Sequence, residues 1–297
     1  MQITNLALKF VEFYNKIDLT DNEDVILSAF QNHFDQEIYY QMIFKGLHER
    51  GQDIASFLKQ KLEAFSEIQD RFTELAEGFE SLLSEVAEKF KHHFADFSFS
   101  FDIIAGHSLG TFDGGIREDS NGNPFFVFGF DVMALVYEGI RMTPFLMHEL
   151  FHVYHHKHYT PLNEASILDD LWSEGLATYF SHISTPDATR QEILLDIPQG
   201  LIEKTRENIK LLCKMLLENL ETEDMETYTR FFLGPFNEIN FRSGYYIGYL
   251  FASFINRDYI LEEMVHLSGE RLLTSAKTFL NRCITDFASI ESDFLNV

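Results

Sequence analysis

The chain has 297 residues, of which 47 are acidic and 23 are basic, so its net charge at neutral pH is −24. Hydrophobic residues make up 45% of the sequence, which excludes wholesale disorder and allows a sizeable core. The acidic excess argues against a nucleic-acid partner and against docking on anionic membranes, and it weakly favours neutral or basic peptides.

The N-terminal third carries the apolar spacing of helices. This spacing predicts one helix over about 25–47 and a long one over about 54–94, with a break near Gln60 or Gly78. The composition changes at Asp96. We therefore predict a helical N-terminal region over 1–95 and a second domain with a helical C-terminal part over 96–297.

Alternating apolar and polar residues follow this boundary and predict strands. The first covers about 97–103, a second is expected at 108–112, and a third, largely buried, covers 125–130. A helical pattern over 131–137 leads from the third strand to the segment that carries the main motif.

That segment contains His148-Glu149-Leu150-Phe151-His152 in a helix predicted to begin near Met142. Because a helix has 3.6 residues per turn, the two histidines project from one face and can bind one metal ion. Glu149 lies about 100° round the same turn, near the ion without having to bind it. The spacing His-Glu-x-x-His is typical of zinc peptidases, in which the glutamate is the general base.

A catalytic zinc ion needs three protein ligands and one open position. Our third ligand is Glu174, which follows the second histidine by 22 positions on another predicted helix. The alternative is His158, at the metzincin spacing, but that arrangement needs a glycine where this chain has His155. Asp170 and Thr178 lie one turn before and after Glu174, and either can hydrogen-bond a ligand imidazole and fix its tautomer.

A third segment, Arg242-Ser243-Gly244-Tyr245-Tyr246-Ile247-Gly248-Tyr249, places three tyrosines on one predicted helix. A phenol near a metal ion can donate a hydrogen bond to a developing oxyanion, and Tyr245 is our candidate for this role. The alternative is a closely packed Gly-x-x-x-Gly helix with Tyr245, Tyr246 and Tyr249 in the core. Arg242 can pair with an acid at the metal site or with a substrate carboxylate, or lie on the surface.

Together these motifs resemble those of the gluzincins, the thermolysin-like clan of zinc peptidases. The resemblance rests on His148-Glu149-x-x-His152 followed by Glu174-Gly175-Leu176-Ala177-x-Tyr179. The Gly-Tyr-x-x-Gly-Tyr segment is similar to one in a family of bacterial predicted zinc-dependent proteases of that clan. Many gluzincins carry Asp four residues after the third ligand, where this chain has Thr178.

The resemblance, which covers about 105–255, implies a fold and a site. The fold is of the α+β class, mainly helical and zincin-like, with a small sheet packed on the zinc-binding helix. It also implies that strand 125–130 or 108–112 pairs with the substrate backbone along its edge, unless that strand is interior. The implied ligands of Zn²⁺ are His148, His152 and Glu174.

The sequence therefore predicts a zinc metallopeptidase acting on peptide or protein substrates, with Glu149 as general base. Two alternatives stay open: a zinc hydrolase acting on a non-peptide amide or ester, and a helical interaction module with a relic or structural zinc site. A structural site needs a fourth protein ligand, for which His155 and Asp170 are the nearest candidates.

The expected location is the cytoplasm. The N-terminus lacks a basic segment followed by an apolar one, and the longest apolar run, 244–255, is too short to span a bilayer. Cys213 and Cys283 are most simply buried thiols in a reducing compartment. Export by a route that needs no N-terminal signal stays open.

Overall fold

Helices dominate the structure, a computed structural model that describes residues 3–34, 37–98, 101–119, 121–161, 166–234 and 238–292. Within these ranges lie 13 α-helices and one four-stranded mixed sheet, which confirms the predicted mainly helical α+β class. No helix among the described residues is both long and apolar enough to cross a bilayer.

The chain divides into two units, Met1–Ile140 and Arg141–Val297. Composition alone placed the boundary between 95 and 96. The difference has a structural cause, because the N-terminal strand pairs with a strand that follows residue 96 and so joins both segments in one unit.

The first unit contains the whole sheet. Its elements are β1 (Ile3–Asn5), α1 (Ala7–Tyr14), α2 (Glu23–Phe34), α3 (Ile38–Glu49), α4 (Ile54–Phe65), α5 (Gln69–Lys91), β2 (Asp102–Gly106), β3 (Gly114–Glu118), β4 (Pro124–Gly129) and α6 (Phe130–Val136). Each long helix predicted from the sequence is two helices in the structure. The second break falls between Phe65 and Gln69, away from both predicted positions. The helices pack through aromatic side chains, with the Phe10 ring 5.0 Å from that of Phe65.

The sheet has the strand order β1-β2-β4-β3, with only β3 antiparallel to its neighbour. The predicted strand 125–130 is confirmed as β4, and its nearly continuous apolar sequence fits burial between two neighbours. Since β4 pairs with β2 on one side and β3 on the other, its edges are not available to a substrate backbone. The predicted pairing of this strand with substrate is therefore wrong.

The predicted strand at 108–112 is also wrong, because this segment is a turn held by Asp131. The carboxylate of Asp131 accepts hydrogen bonds from the backbone N–H groups of Ser108 (2.5 Å) and Gly110 (2.6 Å). Leu109 and Gly110 have φ angles of +56° and +76°, which no strand residue adopts. The Ser108 side chain is fully buried.

The second unit is helical throughout its described elements and carries the predicted metal ligands. It contains α7 (Met142–His158), α8 (Ile167–Ser184), α9 (Leu201–Asn219), α10 (Met225–Tyr228), a π-helical turn (Thr229–Leu233), α11 (Ser243–Ile255), α12 (Leu261–Val265) and α13 (Gly269–Ser292). Between α8 and α9, residues 187–196 form a series of turns. At its end the Asp196 carboxylate accepts hydrogen bonds from the N–H groups of Gly200 and Leu201, where α9 begins.

The zincin-like packing of the sheet on the metal-binding helix stays a prediction. The sheet belongs to the first unit and α7 to the second.

Candidate metal centre

The two motif histidines lie on the same face of α7, as their spacing predicts. Their Nε2 atoms are 2.9 Å apart, and the rings meet nearly at right angles. Pro144 stands in the first turn of the helix, where its missing N–H costs no hydrogen bond. His148 is almost fully buried, whereas His152 keeps part of its side chain exposed.

Glu174 comes from α8, whose first turn is fixed by a capping box between Ser166 and Asp169. The Glu174 Oε2 atom lies 3.2 Å from Nε2 of His148 and 3.4 Å from Nε2 of His152. Among the described residues, these three side chains form the one group of His, Cys or acidic residues that can hold a metal ion. The structure thus brings together the three ligands predicted from the sequence.

The donor set fits a tetrahedral ion with one open position. Ligand bonds of about 2.0–2.2 Å at tetrahedral angles place neighbouring ligand atoms roughly 3.3–3.6 Å apart. The three observed separations are 2.9, 3.2 and 3.4 Å. The buried Oε2 of Glu174 makes no hydrogen bond of good geometry to any described residue, as a metal-binding oxygen should.

The charges of the three ligands are strongly coupled. Burial disfavours the charged imidazole of His152, but the carboxylate of Glu174 outweighs this cost and raises the pKa of His152 to about 9. Burial likewise disfavours the Glu174 carboxylate, yet the two histidines hold its pKa far below the ordinary value. Without an ion the site therefore keeps a proton on His152, and a bound cation takes the place of that proton.

Hydroxyl groups contact the outer nitrogens of both imidazoles. Thr178 Oγ1 lies 3.4 Å from Nδ1 of His148, as one of the two sequence alternatives proposed. Ser173 Oγ lies 3.2 Å from Nδ1 of His152, a contact that the sequence analysis missed. The only signal for it was a polar residue directly before the third ligand. When each Nε2 binds an ion, Nδ1 carries the proton, and this N–H group can donate a hydrogen bond to the hydroxyl oxygen.

Glu149 is buried beside His148, with 6% of its surface exposed, and it is not a member of the three-residue group. Its negative charge nevertheless acts on His152 and contributes to the raised pKa of that imidazole. The carboxylate therefore lies near the ligands without being one of them.

Of the three tyrosines on α11, Tyr245 is the one whose ring contacts a metal ligand in the described structure. Its ring centroid is 6.4 Å from that of His148. The hydroxyl of Tyr246 instead accepts a hydrogen bond from Nε of Arg206, and that of Tyr249 lies 3.0 Å from Nδ1 of His182. Both of these tyrosines are buried, which matches the alternative of core residues.

The position of Tyr245 depends on a close crossing of α8 and α11. A Cβ added at Gly175 would lie 2.2 Å from the backbone carbon of Gly248, and one added at Gly248 would lie 2.5 Å from the carbonyl oxygen of Leu171. Only glycine allows the two backbones to approach so closely. The Glu174-Gly175 and Gly-x-x-x-Gly segments are thus the two sides of one contact.

The other candidate ligands lie outside the group. The His158 ring packs against Tyr154 and His266 at the end of α7. His155 is buried, and this burial together with neighbouring histidines lowers its pKa to about 3. Burial and the charge of Glu174 raise the pKa of Asp170 to about 7.

Comparison of the chain with protein-family models, with curated proteins and with solved structures finds no match.

Proposed function

We propose that the protein is a zinc-dependent peptidase of gluzincin type. The observation that carries the proposal is the group His148, His152 and Glu174, which has the donor types and separations of a three-ligand zinc site, with Glu149 buried beside it. Imidazole and carboxylate ligands suit zinc, and three protein ligands leave a position open for catalysis.

In this proposal each residue has a separate task. Zinc held by His148, His152 and Glu174 would lower the pKa of water towards neutrality and would polarise the carbonyl of the scissile peptide bond. Glu149 takes a proton from the attacking water and delivers it to the leaving amine. Tyr245 donates a hydrogen bond to the oxygen that gains negative charge. Thr178 and Ser173 keep the two imidazoles in the tautomer that presents Nε2 to the ion.

The test combines metal analysis with cleavage of a broad peptide library. Wild-type protein should contain about one Zn²⁺ per chain and cut peptides. Glu174→Ala should lose the metal, whereas His158→Ala should keep it, because His158 lies outside the ligand group. The reverse result for these two variants would discard the gluzincin assignment.

Glu149→Gln separates catalysis from metal binding. The amide keeps the shape of the side chain but cannot act as a base, so zinc content should persist while hydrolysis falls by roughly 10²–10⁴-fold. Equal activity of Glu149→Gln and wild type would refute the mechanism. A wild-type enzyme that cuts no peptide but hydrolyses small amides or esters would show a non-peptide hydrolase instead.

A further inference from the structure

We propose that Arg242 is a positioning residue that fixes Tyr245 and strengthens its hydroxyl as a hydrogen-bond donor; this rests on the proposed peptidase function. The guanidinium carbon of Arg242 lies 4.3 Å from the centroid of the Tyr245 ring. That ring in turn faces the imidazole of His148. Arg242 therefore acts on the reaction through Tyr245.

The backbone of Arg242 is the first observation. Its φ and ψ angles of 50° and 12° lie in the left-handed region, which disfavours every residue that has a Cβ. Arg242 precedes the first turn of α11, and its guanidinium, which has only donors, cannot cap the free N–H groups of that helix. Glycine would adopt this conformation without strain, so the arginine side chain needs another reason to be there.

The surroundings of Tyr245 supply that reason. On one side the ring meets the Phe232 ring edge-on, with centroids 5.9 Å apart. A Cβ added at Gly244 would lie 2.4 Å from Cε1 of Phe232, so that ring is pressed against the start of α11. The guanidinium of Arg242 lies over the Tyr245 ring. Phe232 and Arg242 together limit the directions in which the phenol can point.

The charge of Arg242 adds an electronic effect. A cation over an aromatic face is attracted by the π electrons and draws electron density away from the ring and its hydroxyl oxygen. This makes the O–H group of Tyr245 a stronger donor to an oxygen that is gaining negative charge. Arg242 therefore supports the step in which Tyr245 stabilises the oxyanion, more than the binding of substrate.

Arg242→Gly tests the proposal, because glycine relieves the backbone strain while removing the guanidinium. We expect a melting temperature at least as high as that of wild type, unchanged zinc content, and kcat lower by about tenfold or more with KM within about threefold. Added methylguanidinium should restore part of kcat, and urea should not. A lower melting temperature with unchanged kcat would show a purely structural role and overturn the proposal.

The chain offers a matched control. Arg206 also lies over a tyrosine of α11, with its guanidinium carbon 5.9 Å from the ring of Tyr246, whose hydroxyl accepts a hydrogen bond from Nε of Arg206. Arg206→Ala should leave kcat unchanged. If both variants lose activity equally, the loss reflects general destabilisation of α11, and the specific role of Arg242 is refuted.

A second readout needs no activity. In protein with ¹³C-labelled tyrosine, Tyr245→Phe identifies the ring resonance of Tyr245, and Arg242→Gly should shift and broaden it. An unchanged resonance would overturn the proposal by itself. If wild type cleaves no peptide, the proposed peptidase function fails, while this resonance still decides whether Arg242 fixes Tyr245.

Discussion

The Nδ1 atoms of His148 and His152, in the candidate metal centre, contact neutral hydroxyl groups. Thr178 lies one helical turn after Glu174, and its Oγ1 lies within hydrogen-bond distance of Nδ1 of His148. A hydroxyl accepts a hydrogen bond from Nδ1–H and fixes the tautomer, but it adds no negative charge that would make the imidazole more basic. Thr178 can therefore support metal binding by orienting the His148 ring, but not by adding charge.

Thr178→Val removes this acceptor with little change of shape. Because such outer contacts contribute to metal affinity, we expect the zinc affinity to fall by about 10–100-fold. The measurement is competition with a chromophoric chelator. Thr178→Ser, which keeps the hydroxyl, is the control and should bind zinc nearly as wild type does; equal losses in both variants would point to packing at this buried position.

Zinc binding should depend on pH through His152. In the metal-free protein the pKa of His152 is raised from the ordinary value of 6.5 to about 9. The charged imidazole therefore stabilises the fold fully below pH 6.5, and this contribution is lost as the pH rises through about 9. Below pH 9 the same proton competes with the ion. The apparent zinc affinity should rise by about tenfold per pH unit between pH 7 and 8 and level off above 9. A flat profile across this range would contradict the coupling of His152 and Glu174.

At the scale of elements, the crossing of α8 and α11 holds the ligand Glu174 and Tyr245 in one arrangement. Gly248→Ala places a methyl group 2.5 Å from the Leu171 carbonyl oxygen and should destabilise the protein by about 1–3 kcal/mol or more. It should also weaken zinc binding, since α8 must shift. Chemical denaturation and chelator competition measure the two effects.

Gly78→Ala is the matched control for this substitution. Gly78 lies inside α5, and a Cβ there would meet nothing within 4 Å. Alanine should therefore stabilise the protein by about 0.5–1 kcal/mol, because it favours the helix without any clash. If Gly248→Ala lowers the free energy of unfolding by no more than Gly78→Ala raises it, α8 and α11 can separate at little cost.

Comparison of elements shows which parts of the structure the sequence encodes locally. The His148–His152 pair follows from the helical repeat alone, and β4 follows from its apolar run, so both were predictable. The turn at 108–112 was not, because it depends on Asp131, which lies about 20 residues further along the chain. The contact of Ser173 with His152 depends on how α8 crosses α7, which no periodicity specifies.

At the scale of the whole molecule, the net charge of −24 should affect which peptides reach the site. Opposite charges increase association rates, and salt screens this effect, with a Debye length of about 8 Å at physiological ionic strength and about 3 Å at 1 M. We expect kcat/KM for a basic peptide to fall several-fold as salt increases, while that for a neutral peptide of equal length changes little. Identical salt responses for both would exclude steering by the overall charge.

The ligand group also has a mechanical consequence. His152 and Glu174 belong to successive helices, so an ion bound by both would cross-link α7 and α8 and close the intervening chain into a loop. Gly175, next to Glu174 in α8, packs closely against the backbone of Gly248 in α11. Removal of the ion would therefore loosen all three helices. Amide hydrogens in α7, α8 and α11 would exchange faster together, because the three helices form one cooperative region whose rigidity depends on the bound metal.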